Sequence, residues 1–272
     1  MSWWGKLAGG ALGFAMGGPI GAIIGAVAGH QLDKGLKQTA DYDRLQGGAG
    51  AAQQERAQTV FFTTVFSVMG HLAKADGRVS ESEIEMARSI MQQMQLDEQQ
   101  KQFAIDLFRK GKEADFPLDE VIEQFRQEIG RQRNLKQMFI EILLHAAYAD
   151  GQMHEAERHL FIRICGRLGF SQIEFRMLES MVRAQRAFHG RAQHEPVRPR
   201  ADLLQEAYAA LGIQADASDA EVKKAYRRQM NQHHPDKLVA RGLPEEMIKL
   251  ANEKTQEIKA AYETIRKARG MK

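Results

Sequence analysis

Large apolar side chains recur along this chain at the three- and four-residue spacing of amphipathic helices. Toward the C-terminus, Leu203, Leu204, Ala207, Tyr208 and Leu211 make a short stripe that ends at Gly212, the residue type that most easily turns left-handed past a helix end. Ser218, with Glu221 three residues on, forms a capping box for the next helix. Val222, Tyr226, Met230 and His233 share one face of that helix, and Lys223, Lys224, Arg227 and Arg228 occupy the other. A third stripe of Met247, Leu250, Ile258, Ala261, Tyr262 and Ile265 is placed to close a small core against Val222, Tyr226 and Met230. Between the second and third stripes the helix must stop. Pro235 has no backbone donor and pushes His234 out of the α region, so His234, Pro235 and Asp236 are displayed on a tight connection.

Over residues 58–185 the pattern repeats at an offset of 74 residues. HLAKADGRVSESE from His71 pairs with HAAYADGQMHEAE from His145, so Asp76-Gly77 matches Asp150-Gly151 and Glu81 and Glu83 match Glu155 and Glu157. Met86 pairs with Leu160, Ile90 with Ile164 and Met94 with Leu168. Each copy reads as a helix, an Asp-Gly turn and a second helix, which predicts a pseudo-symmetric all-α bundle. The acidic residues after each turn admit two weak divalent-cation sites or helix capping. They lack the alternation of oxygen ligands that a calcium loop needs, so capping is preferred and no metal ligand is assigned.

The N-terminal pattern differs in kind. Leu7 to Gly29 runs 23 residues without a charged side chain. As a helix that is about 34 Å, against a bilayer core of about 30 Å, so a transmembrane helix over residues 7–30 is predicted. Glycine falls at every fourth position from Gly5 to Gly29. On one continuous helix Gly9, Gly13, Gly17, Gly21 and Gly25 make an inclined groove suited to close crossing, which predicts a homodimer in the membrane; Pro19 is the place for a kink. Lys34, Lys37 and Arg44 follow the span and Lys6 precedes it, so residues 1–6 are expected outside and the bulk of the chain in the cytoplasm. A cleaved signal peptide fits less well, because the apolar run exceeds the usual ~7–15 residues. Residues 31–57 read as a tether, and residues 186–200, with Pro196 and Pro199, as a linker before the C-terminal unit at 201–272.

Composition adds little. A net charge of +3 over 272 residues does not argue for nucleic acid as a partner, and the lone Cys165 excludes an internal disulfide. Cys165 lies in the apolar run from Phe161 to Leu168, where a buried thiol is expected. His154-Glu155 begins like a zinc-protease motif, but the next histidine is His159, one residue too late to share a helical face with His154. No catalytic site and no cofactor is predicted. His71 and His145 are expected within helix packing.

The stretch from Glu221 to Lys237, EVKKAYRRQMNQHHPDK, with QEIKAAYETI from Gln256 to Ile265, resembles the J-domain of the DnaJ co-chaperone family. The resemblance implies a short helix before an antiparallel hairpin whose His-Pro-Asp loop contacts a DnaK-type chaperone and stimulates its ATP hydrolysis. Those roles would fall on His234, Pro235 and Asp236, with Lys223, Lys224, Arg227 and Arg228 drawn to an acidic surface of the chaperone and Tyr226 in the core. Two departures stand out: Thr255 replaces a commonly large apolar residue, and the connection from Lys237 to Pro244 is longer than usual. The repeated middle resembles the TerB-like family. Together the parts are similar to bacterial J-domain co-chaperones anchored in the inner membrane. The expected architecture is all-α, with an N-terminal transmembrane helix, a central pseudo-repeated helical bundle and a C-terminal J-domain hairpin. A membrane-tethered sensor or scaffold, whose middle domain binds a metal ion or protein, is the alternative reading.

Overall fold

The computed structural model describes residues 17–32, 49–75, 81–94, 96–149, 151–190 and 200–271, and among the described residues every regular element is helical. In chain order these are α1 (Gly18–Leu32), α2 (Ala49–Ala73), α3 (Glu81–Gln93), α4 (Glu98–Gly111), α5 (Leu118–Ile129) and α6 (Arg133–Ala147). There follow α7 (Glu155–Leu168), α8 (Gln172–Gly190), α9 (Arg200–Ala210), α10 (Asp219–His233), the short α11 (Pro235–Val239), a 3₁₀ turn at Glu245–Met247 and α12 (Ile248–Arg269).

The middle bundle is built around α2. Its run from Val60 to Phe66 is fully buried on every side, so the hydroxyls of Thr64 and Ser67 donate to the carbonyls of Val60 and Thr63 in their own helix, each at 2.7 Å. Phe61 packs against Phe125 of α5 and Phe139 of α6, with ring centroids 5.9 and 6.3 Å away. Each such phenylalanine contributes roughly 1.5–3 kcal/mol through burial. α2 and α4 cross at glycine on both sides. A Cβ on Gly70 would lie 2.0 Å from the carbonyl oxygen of Phe108, and one on Gly111 would lie 1.8 Å from that of Ser67.

The internal repeat survives in the helix ends. Ala73 and Ala147 close α2 and α6, and Glu81 and Glu155 open α3 and α7, all at the offset of the sequence repeat. Glu157 is 3 % exposed and accepts a hydrogen bond from the backbone N–H of His154 at 2.9 Å, so it serves as the capping group of α7. Asp76, Gly77 and Asp150 lie outside the described residues, as do the side chains of Glu81 and Glu83. Cys165 is buried, and desolvation pushes its thiol up to about 12. The Nδ1 of His71 lies 3.2 Å from the carbonyl oxygen of Gly111, inside the α2–α4 packing as expected.

The N-terminal stretch departs from a single uniform helix. Gly17 and Gly18 stand at φ +62° and +65°, and α1 starts only at Gly18 with Pro19 in its first turn. Pro19 disfavours the α conformation in the residue before it, and glycine alone tolerates the left-handed alternative without strain. The expected glycine line is therefore interrupted: Gly17 precedes the helix, Gly21 and Gly25 lie in it, and Gly9 and Gly13 fall outside the described residues. No helix among the described residues is long and apolar enough to cross a membrane. Ile20, Ile23, Ile24, Val27 and Ala28 of α1 are buried, in contact with α2, α4 and α5. Gln124 of α5 holds the start of the helix, accepting from the Ile20 N–H at 2.9 Å and donating to the Gly17 carbonyl at 3.0 Å.

Two other boundaries move. α2 begins at Ala49, inside the expected tether, and α8 continues to Gly190, with Arg186 donating to the carbonyl of His145 at 3.0 Å. The third C-terminal stripe is also shared differently from its expected packing. Ile258, Ala261 and Ile265 join Val222 in the core of the C-terminal unit, whereas Met247 and Leu250 join the core of the middle bundle together with Leu238, Leu243 and Ala251. α12 has 22 residues and α10 has 15, so the hairpin partner leaves one end of α12 uncovered and the bundle covers it.

Candidate docking site

The predicted capping box opens α10: the Glu221 carboxylate accepts from the Ser218 N–H at 2.7 Å, and the Glu221 N–H donates to Ser218 Oγ at 3.4 Å. The helix ends as proline dictates. His234 takes an extended conformation (φ −61°, ψ 121°) and Pro235 becomes the first residue of α11, where its missing N–H costs nothing. The turn is closed by the Leu238 N–H donating to the His234 carbonyl at 3.1 Å. His234 is about half exposed and Asp236 is 90 % exposed, with 4.0 Å between His234 Nδ1 and Asp236 Oδ2. The two side chains thus face solvent while Leu238, four residues on from His234, is fully buried behind them.

The residues expected on the basic face lie where helical periodicity places them. Lys224, Arg227 and Arg228 are exposed and Lys223 is half-buried, which leaves a cationic surface leading to the loop. Tyr226 is half-buried and stacks on Tyr262 of α12, with centroids 4.2 Å apart and planes 17° from parallel. Arg269 ties the far end of α12 to the start of the unit, donating to the carbonyls of Ala217 and Ala215 at 2.6 and 2.8 Å and to the hydroxyl of Tyr208.

The back of the loop is held by His233, which the sequence placed on the packed face of α10, and by residues of other helices that sequence reasoning did not single out. His233 Nε2 lies 3.1 Å from both carboxylate oxygens of Glu141 on α6, and its Nδ1 lies 3.0 Å from the carbonyl of Gln229. Lys254 of α12 approaches the same carboxylate at 2.8 Å and also donates to Gln185 of α8, while Gln137 donates to Glu141 at 2.8 Å. Glu141 and His233 are each 2 % exposed. The available signal was a lone carboxylate inside the apolar run from Met138 to Leu144. The lengthened connection is the second hold: Gln54 and Gln58 of α2 donate to the carbonyls of Val239 and Leu243 at 3.1 and 3.4 Å. Gly242 there has φ +107°, and a Cβ on it would meet that of Ala57 at 2.5 Å.

Burial alone would push the Glu141 carboxyl up, but the charges of His233 and Lys254 and their hydrogen bonds outweigh it and hold the group well below the usual carboxylate range. A carboxyl depressed on folding adds stability above its unfolded value of about 4.3, and loses it as pH falls through the folded value. Glu141→Gln should therefore lower the melting temperature at pH 7, and the gap to the parent should narrow in melts taken below about pH 4. A gap independent of pH would contradict this.

Comparison with known proteins agrees with this layout. Residues 1–39 match the co-chaperone DjlA transmembrane domain, residues 62–180 match tellurite resistance protein TerB, and residues 206–270 match the DnaJ domain. A J-domain joined to a membrane domain defines the class: a membrane-anchored J-domain co-chaperone that acts with a DnaK-type chaperone. Co-chaperone protein DjlA of Coxiella burnetii is 47% identical, with all of both chains covered. Those of Photobacterium profundum (44%, 99% of this chain and 100% of the relative) and Vibrio cholerae (46%, 98% and 99%) are similar over the same extent. The chain belongs to the DjlA co-chaperone family. No solved structure matches it.

Proposed function

We propose that the chain stimulates ATP hydrolysis by a DnaK-type chaperone through His234, Pro235 and Asp236, and performs no chemistry of its own. The observation that carries this reading is the exposure of His234 and Asp236 on a turn whose rear is fully packed. Lys223, Lys224, Arg227 and Arg228 steer an acidic surface of the chaperone toward that turn, and Tyr226 supports the helix from the side. Charge steering acts mainly on association rate and weakens with salt. Lys224→Glu with Arg227→Glu should raise the chain concentration needed for half-maximal ATPase stimulation by about tenfold at low salt, and by less at 0.5 M salt. An unchanged titration at low salt would remove the basic face from the site.

The orientation that fits the charges flanking the span is a single-pass anchor in the bacterial inner membrane, with a periplasmic N-terminus and the two folded domains in the cytoplasm. Self-association as a homodimer would use glycines on one side of the turn at Gly17 and Gly18: Gly9 and Gly13, or Gly21 and Gly25, of which Gly21 is buried in the folded chain and would have to be uncovered. Replacing each pair by leucine in a membrane dimerisation reporter separates these choices. If both replacements associate like the parent, the chain does not dimerise through this groove.

A further inference from the structure

We propose that Glu141 of the TerB-like domain is a positioning residue for the docking loop: it grips His233, the residue directly before His234-Pro235-Asp236, and fixes the direction in which the loop faces. This rests on the reading of that loop as the chaperone-docking element. The grip is drawn from four helices, with Gln137 and Glu141 on α6, Gln185 on α8, His233 on α10 and Lys254 on α12. It brackets the loop from both ends. On the α10 side, Asn134 adds a hydrogen bond to the carbonyl of Gln232 at 3.2 Å; on the α11 side, Leu238 is buried in the bundle core and Gln54 holds the Val239 carbonyl.

Adhesion between the two domains does not require this network. Apolar side chains of similar volume commonly hold a buried interface as well as an ion pair does or better, because both charges must be stripped of water. A buried charge cluster adds direction: its attraction is satisfied only at one register and angle, whereas apolar contact tolerates sliding. His233 is bonded covalently to His234, so a shift of the ring away from Glu141 passes directly into the loop. The exposed cationic residues of α10 lie away from this contact, which leaves the recognition face open while its back is clamped. The TerB-like domain is in this sense a mount that aims the J-domain.

The test uses the full chain in lipid nanodiscs, titrated into a DnaK-type chaperone while steady-state ATP hydrolysis is followed. Parent, Glu141→Gln, His233→Gln, the double variant and His234→Gln are compared. Glu141→Gln and His233→Gln are each expected to raise the half-maximal concentration about fivefold or more with the maximal rate retained, and the double variant to be no worse than either alone. Spin labels on Arg131→Cys and Lys259→Cys should report a broadened distance between the two domains in both single variants. Stimulation curves that superpose on the parent's overturn the proposal, and so do single effects that multiply in the double variant, since Glu141 would then act by another route. Should Glu141→Gln fold poorly because Lys254 is left unpaired, Glu141→Gln with Lys254→Met removes both charges. It is expected to keep the parent's helical content and still show the raised half-maximal concentration, and a parent-like curve from it counts against the proposal. A parent chain that gives no stimulation, or a His234→Gln chain that stimulates like the parent, instead refutes the underlying docking-loop reading.

Discussion

A chain carrying His234→Gln is expected to leave ATP hydrolysis by a DnaK-type chaperone near its unstimulated rate, while its helical content and melting temperature stay at the parent's values. The imidazole is half exposed, so its removal empties no cavity. Its nearest charged neighbour, Asp236, is 4.0 Å away and almost fully in solvent, so little stability resides in that pair. The backbone features that shape the turn remain, because Pro235 and the buried Leu238 are untouched. What is lost is a projecting group on the turn proposed to meet the chaperone, and a hot-spot side chain in such a place is worth about 2 kcal/mol or more, roughly 30-fold in affinity. Near-parental stimulation by this variant would mean that the chain acts on its chaperone through some other surface.

The largest loss of stability is expected at the crossing of α2 and α4. Gly111→Val would drive its Cβ to 1.8 Å from a backbone carbonyl oxygen on α2, and Gly70 meets the same obstacle from the other side at 2.0 Å. Backbone atoms have no rotamer by which to yield, so the helices must part. Their separation opens the core around Phe61, Phe62 and Phe66, all fully buried. Overpacking typically costs about 1–3 kcal/mol, and a clash with backbone at the centre of a bundle belongs at or above the top of that range. Gly166, which faces open space in α7, is the control: Gly166→Ala should leave the unfolding midpoint unchanged or slightly raised. Denaturant unfolding of the three chains decides this, and equal midpoints for Gly111→Val and the parent would show that the crossing is not close.

Much of the architecture was legible because its signals are local. The capping box at Ser218, the stop at Pro235, the basic face of α10 and the helix-break-helix order of each repeat copy depend on residues within one or two helical turns, and the structure places each as read. The third C-terminal stripe was read with the right period, and Ile258, Ala261, Tyr262 and Ile265 meet the expected partners while Met247 and Leu250 do not. Met247 and Leu250 point as expected, but periodicity says which face of a helix is apolar and not which neighbour covers it. The N-terminal glycine line is interrupted for a different reason. Spacing alone runs the line through Gly17, yet the break falls beside Pro19, which disfavours the α conformation at Gly18, so the helix starts only there.

The sequence by itself determined the turn at His234, Pro235 and Asp236, because a proline that ends one helix and opens the next needs no distant contact to do so. It also determined the cationic face and the duplicated helical bundle, both of which follow from spacing along the chain. Only the tertiary structure decided that the turn is clamped, since Glu141, Gln185, His233 and Lys254 come together from positions up to 113 residues apart in the sequence. A buried carboxylate between two helices carries no local mark of its partners. Its charge demands compensation wherever the chain is desolvated, and only the packed fold shows which side chains supply it.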